Sequence, residues 1–218
     1  MSQEFVTLKN LATEIQNLAP ITDHDKFFKE EALRFISIGG TIEASFPNVD
    51  TSIDERIISH ILIRSVIENF FKIVYIFEDS EDSEDCAQSA VRFDALLNGF
   101  KKDYTKLLNE PDLPMKDKLE PADSAWANLP SPMDLRSMMT QIRNEQGTKL
   151  DYIYFIYRIS SFDTHGNSLK SLFDASFNKQ CNFPFLKIDP VLKLIADQYL
   201  VIFNRIKQEA EQAASSNP

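Results

Sequence analysis

Arg158 and His165 are the residues of this chain whose types and spacing best suit acid–base chemistry on a charged substrate. At about 100° per residue, the step from Arg158 to His165 falls about 20° short of two full helical turns. On a helix the two side chains therefore share one face, roughly 10 Å apart along the axis. Ser161 lies between them on the same side, and Tyr154 and Tyr157 flank it. Gly166 follows His165 as a helix stop, and the carbonyls exposed at a helix C-terminus favour a cation there. Imidazole titrates near neutral pH, which suits general acid or base work. An arginine on the same face suits a phosphate or a negative charge that develops during reaction. The plainer alternative is that Arg158 and His165 are hydrogen-bonded structural residues of an amphipathic helix.

A second polar cluster, Arg64-Ser65-Val66-Ile67-Glu68, interrupts the most apolar segment. Arg64 and Glu68 are four apart and can pair on one face. Charges in an apolar helix are costly without partners, so the pair either orients helices or lines a polar pocket. A buried network of Arg64, Glu68, Ser161 and His165 would join two helices, and removing Glu68 would then leave Arg64 unpaired and cost several kcal/mol. His24 and His60 read as structural or exposed. Cys86 and Cys181 make no disulfide framework, and no Cys/His cluster has zinc spacing. No Gly-rich phosphate loop, nucleophile elbow or paired-His motif is present. The expectation is no cofactor and no metal.

These residues need helices to position them. The chain has 218 residues with only 5 Gly, and 17 of its aromatics are Phe. A sandwich or barrel needs many Gly-rich turns, so an all-β fold is excluded. Prolines avoid the periodic stretches, which marks where helices run. Apolar spacing predicts helices over Gln3 to Leu18, Asp23 to Ser45, Ser52 to Glu78, and Asp85 to Asn109. The pair Gly39-Gly40 predicts a kink or a close helix crossing. Ser131-Pro132 reads as the N-cap and first-turn proline of a fifth helix, with Gly147 as its stop. Further helices follow over Lys149 to His165, over Asn167 to Asn178, and from Asp189-Pro190 onward, with a polar tail from Glu209 expected to fray. The helix over Ser52 to Glu78 is apolar nearly all round and reads as central. The prediction is a single all-α domain over 1–218, a bundle of seven to eight helices. The proline-rich segment Glu110 to Pro130 reads as a surface loop anchored by Trp126 and as a candidate lid.

The net charge of -10 gives no general attraction for nucleic acid or anionic membranes. Six acids fall between Glu78 and Asp85, so the acidity is partly local. That run reads as a solvated loop, without the spacing or glycine of a calcium-binding loop. Lys101, Lys102, Lys106, Lys170 and Lys179 offer a local basic patch. The N-terminus lacks signal-peptide character and no apolar run is long enough to span a membrane, so the expected location is cytoplasmic.

The order Arg64-x-x-x-Glu68 in a long apolar helix, then Leu135-Arg136 with Gly147, then Tyr157-x-x-x-Ser161-x-x-x-His165-Gly166, resembles a bacterial family of HEPN-like helical proteins. HEPN stands for higher eukaryotes and prokaryotes nucleotide-binding. The resemblance spans roughly Ile53 to Phe177. It implies a helical bundle that often dimerises. Many such domains are metal-independent ribonucleases of toxin–antitoxin, abortive-infection or other phage-defence systems. Their motif is Arg, four to six residues, then His. Arg158 and His165 match it, with Ile159 where a polar residue often stands. The resemblance therefore implies an RNA endonuclease with Arg158 and His165 catalytic and Arg64, Glu68, Tyr157 and Ser161 in support. Its implied partners are an RNA substrate, an antitoxin or other protein, and a second copy of the chain. The alternative is a non-catalytic module that binds protein or nucleotide.

Overall fold

Apolar side chains that recur every three and four residues lie on one stripe of a helix, and burying that stripe is what stabilises it. The computed structural model describes residues 2–48, 52–78, 85–111, 114–142, 148–165, 169–179 and 187–216. Among these residues the chain is all-α, with nine α-helices, two short 3₁₀ turns and no strand. The helices are α1 Gln3–Asn10, α2 Ala12–Asn17, α3 Asp23–Ser45, α4 Ile53–Phe77, α5 Asp85–Leu108, α6 Leu135–Met139, α7 Thr148–Thr164, α8 Leu169–Phe177 and α9 Ile188–Ser216. Gly147, Gly166, Asn167, Cys181 and the acidic stretch 79–84 lie outside the described residues. The chain groups into two compact units, Met1–Phe70 with Asn144–Pro218, and Phe71–Arg143.

The first unit is built on aromatic packing. The Thr22 hydroxyl accepts from the Asp25 N–H, and the Asp25 carboxylate accepts from the Thr22 N–H, a reciprocal cap that starts α3. From there Phe28, Ala32, Phe35, Gly39 and Ile42 are buried at alternating four- and three-residue steps. Tyr199 of α9 stands edge-on to Phe28 and Phe35, with ring centroids 5.5 and 5.3 Å apart, and lies 6.1 Å from Phe70. Phe5 of α1 meets Phe35 edge-on at 5.4 Å. Gly39 makes this crossing fit. A Cβ there would stand within 3.0 Å of the Phe5 ring and 3.5 Å from Leu192, whereas a Cβ on Gly40 would meet nothing within 4 Å. The glycine pair is thus a close crossing within an unbroken α3.

In the second unit the buried Arg92 of α5 closes the end of α4. Its guanidinium donates to the carbonyls of Tyr75, Glu78 and Gln141 at 2.8, 3.2 and 3.4 Å, and stands 5.0 Å from the Tyr75 ring centroid. Helix ends leave carbonyls unpaired, and a cation is a favourable partner for them. Trp126, in the 3₁₀ turn Ser124–Asn128, does anchor the proline-rich segment. It lies 6.5 Å from the Tyr104 ring and under Lys101. The Tyr104 hydroxyl donates to the Glu120 carbonyl at 2.7 Å and Lys102 to the Ala127 carbonyl.

Several boundaries differ from expectation. The first helix breaks at Leu11, whose ψ of 1° departs from helical geometry. The cap of α6 is Asp134, which accepts from the Ser137 N–H at 2.8 Å, and Pro132 packs instead against Gly99. α9 continues to Ser216, through most of the polar tail. Ile58 and Ile61 on the first half of α4 are exposed.

Two predictions follow from this packing. Gly39→Ala should destabilise the protein by about 1–3 kcal/mol through overpacking, while Gly40→Ala should stabilise it by about 0.5–1 kcal/mol through helix propensity. Urea denaturation of the two variants measures both. Burial also pushes the Tyr199 phenol far above its ordinary value. An unfolded tyrosine loses its proton near pH 10, at about 10. Above that pH the folded chain holds more protons than the unfolded one, so stability falls as pH rises. Tyr199→Phe should flatten this alkaline slope, measured by melting temperature against pH.

Candidate functional site

α7 divides its polar residues between two faces. Leu150, Ile153, Ile156 and Ser160 are buried, and the same stripe ends on the Asp163 side chain. The opposite face carries Phe155, Arg158, Phe162 and His165 at steps of three, four and three, all exposed. His165 stands one residue beyond the end of the helix, its backbone N–H donating to the Ser161 carbonyl at 3.1 Å.

α4 presents His60, Arg64 and Glu68 at four-residue steps, and His60 and Arg64 bond to α7. His60 Nδ1 lies 3.2 Å from Asp163 Oδ2, with the two side chains only 4% and 3% exposed. His60 Nε2 is buried with no hydrogen-bond partner among the described residues. One helical turn further along α4, Arg64 Nε donates to Ser161 Oγ at 3.1 Å and its Nη2 to the Tyr157 hydroxyl at 3.3 Å. The guanidinium also lies 5.0 Å from the Tyr157 ring centroid, and Tyr154 stacks on Tyr157 at 6.1 Å. Burial pushes the Tyr157 phenol above its ordinary value, and the Arg64 charge offsets part of that rise. The phenol is therefore neutral at physiological pH. Rising numbers on α4 meet falling numbers on α7, so the two helices run antiparallel along this ladder.

The predicted supporting residues Arg64, Tyr157 and Ser161 come together as one cluster. Glu68 joins it at its edge, its Oε2 3.8 Å from Arg64 Nη1 and its side chain about a third exposed. His165 stays outside the cluster, on the exposed face with Arg158. The buried histidine of the ladder is His60, with Asp163 as its partner. The spacing of His60, Arg64 and Glu68, four and four apart, puts His60 on one face of α4 with Arg64, but nothing in it names Asp163 as the partner. Of the lysines in the expected basic patch, Lys101 stands over Trp126, Lys102 bonds to the Ala127 carbonyl, and Lys106 bonds to Asp103 at 2.7 Å. Lys170 and Lys179 are exposed on and beside α8. Among the described residues no group of three or more His, Cys, Asp or Glu side chains is placed to hold a metal ion. No described helix is long and apolar enough to cross a membrane.

The geometry reverses the expected cost of losing Glu68. An ion pair with a partly exposed partner contributes about 0–1 kcal/mol, and Arg64 keeps Ser161 and Tyr157 without it, so Glu68→Ala should cost less than Arg64→Ala. Arg64→Ala removes the donor to two hydroxyls and a ring contact, and should cost about 1–3 kcal/mol. Equilibrium unfolding of both variants measures the order, and a larger loss for Glu68→Ala would contradict it.

No protein-family model, curated protein or solved structure matches this chain.

Proposed function

We propose that this chain is a HEPN-like, metal-independent RNA endonuclease that works from the outward face of α7. The observation that carries this reading is the shared exposure of Arg158, Phe162 and His165 on a helix pinned from behind by buried contacts. In this chemistry an RNA 2′-oxygen attacks the neighbouring phosphorus and the 5′-oxygen leaves. The products are a 2′,3′-cyclic phosphate and a 5′-hydroxyl. The nucleophile belongs to the substrate, so the protein supplies only proton transfer and charge stabilisation. His165 moves the proton as general acid or base. Arg158 donates to the phosphate oxygens as negative charge gathers on them. Phe155 and Phe162, each 44% exposed, flank Arg158 and offer flat surfaces on which unpaired bases stack. A chain with net charge -10 holds RNA by such local contacts and not by its overall field.

A second reading has its own support. The mutual bonding of Arg64 with Tyr157 and Ser161, and of His60 with Asp163, suits a non-catalytic module whose α7 face binds protein or nucleotide. The two readings part on one assay. Purified protein is incubated with single-stranded RNA of mixed sequence in excess EDTA. The enzyme reading expects fragments with cyclic phosphate ends. It also expects at least about a 100-fold slower rate in His165→Ala and in Arg158→Ala, with melting temperatures unchanged because both side chains are exposed. RNA left intact by the wild-type protein favours the module.

A further inference from the structure

The edge of the exposed α7 face that borders α4 carries Tyr154, Arg158, Ser161 and His165, at steps of four, three and four. Such steps keep side chains on one stripe of a helix. α4 runs along that stripe. Arg64 bonds to Ser161 and Tyr157. Glu68 follows one turn further along α4, towards the end of the stripe where Tyr154 stands. Besides burial, four neighbours act on the Tyr157 phenol. Arg64 and Arg158 draw its proton affinity down, and Glu68 and Tyr154 push it up. These four side chains therefore gather around one spot at the α4 edge of the face.

The spot holds a ring, a donor and an acceptor. The Tyr154 ring is half-buried and lies on Tyr157 with planes 28° apart, which fixes it as a platform for a further ring. Arg64 gives Nε to Ser161 and Nη2 to Tyr157, and its Nη1 stands 3.8 Å from Glu68 Oε2. That distance is too long for a hydrogen bond between the two. A donor and an acceptor thus stand side by side, on side chains 19% and 35% exposed. A carboxylate has about four acceptor positions, so Glu68 can hold the donors of a ligand alongside a partner in the protein.

We propose that this spot is a base subsite for guanine in single-stranded RNA. The base stacks on Tyr154. Its N1–H and N2–H donate to the Glu68 carboxylate, and its O6 accepts from Arg64 Nη1. Unpaired bases are read on their pairing edges, and among the four only guanine puts two neighbouring donors beside an acceptor there. Adenine and cytosine place an amino group next to a bare ring nitrogen, and uracil places one N–H between two carbonyls. Each of these would turn an acceptor towards a carboxylate that can only accept. Tyr154 lies about one turn, or about 5.4 Å, from Arg158, so the recognised base belongs to a nucleotide next to the phosphate that Arg158 holds. The subsite rests on RNA lying along the α7 face, and it adds which base that face selects.

Calorimetric titration of the full chain with the four nucleoside 3′-monophosphates tests the subsite without any cleavage. The guanosine form should bind at least about tenfold more tightly than the other three. Glu68→Gln keeps the size of the side chain but puts a donor where guanine also donates, and should erase that preference. Tyr154→Ala should weaken guanosine binding by about tenfold, while Tyr154→Phe should keep it. Mapping the ends of RNA incubated with the wild type separates the subsite from the cleavage chemistry. Guanosine preference with RNA left intact supports the subsite and removes the cleavage. Cut RNA with no excess of guanine next to the cut overturns the subsite and keeps the cleavage. Four equal affinities, no guanosine binding at about 1 mM, or a preference that survives in Glu68→Gln would also overturn it.

Discussion

A charged or polar side chain removed from water must find its partner inside the protein, and the contact between α4 and α7 is organised by that requirement. The His60 and Asp163 side chains are almost wholly buried and meet each other across the two helices, 103 residues apart in the chain. Arg64 repeats the demand one turn away with Tyr157 and Ser161. Apolar contacts would tolerate a slip of one helix along the other. A slip of one turn, about 5.4 Å, would leave every one of these polar groups facing the wrong neighbour. The ladder therefore sets the register of α7, and with it which residues face outward. Phe155, Arg158, Phe162 and His165 are on the exposed face, while Asp163 is held against α4 on the other.

The same logic divides the energetic roles elsewhere. In the first unit the edge-to-face cluster of Phe5, Phe28, Phe35 and Tyr199 is large, apolar and close-packed, and it supplies burial. Its sensitivity is steric, as the Phe5 ring against Gly39 shows. In the second unit Arg92 gathers three carbonyls under one guanidinium. That contact has a different sensitivity, because a lysine would place a point charge where a planar fork with several donors is used.

The helices that were legible in the sequence are those with sustained periodicity. α3 begins and ends where the Thr22–Asp25 cap and the apolar stripe place it, and α4, α5 and α7 fall within about a residue or two of their expected ends. The break between α1 and α2 was hidden because Phe5, Leu8 and Ile15 keep one stripe across Leu11, with no glycine or proline to mark it. Ser131-Pro132 carries both local signs of a helix start, yet Pro132 lies against Gly99 and the helix waits for Asp134. A contact between residues 33 apart outweighed the local preference. Of the candidate site, Arg64 with Ser161, but not with Tyr157, followed from a charged residue's demand for partners in an apolar helix. His60 with Asp163 did not, since a single histidine in an apolar helix carries no sign of which distant acid it will meet.

The central claim is that the buried His60–Asp163 contact holds α7 in place against α4. A double-mutant cycle on stability with His60→Ala, Asp163→Ala and the double variant isolates that contact from the desolvation each group carries alone. The expected coupling is about 1–3 kcal/mol, with each single variant costing nearly as much as the double. Costs of the two single variants that simply add, with no coupling beyond error, would contradict it.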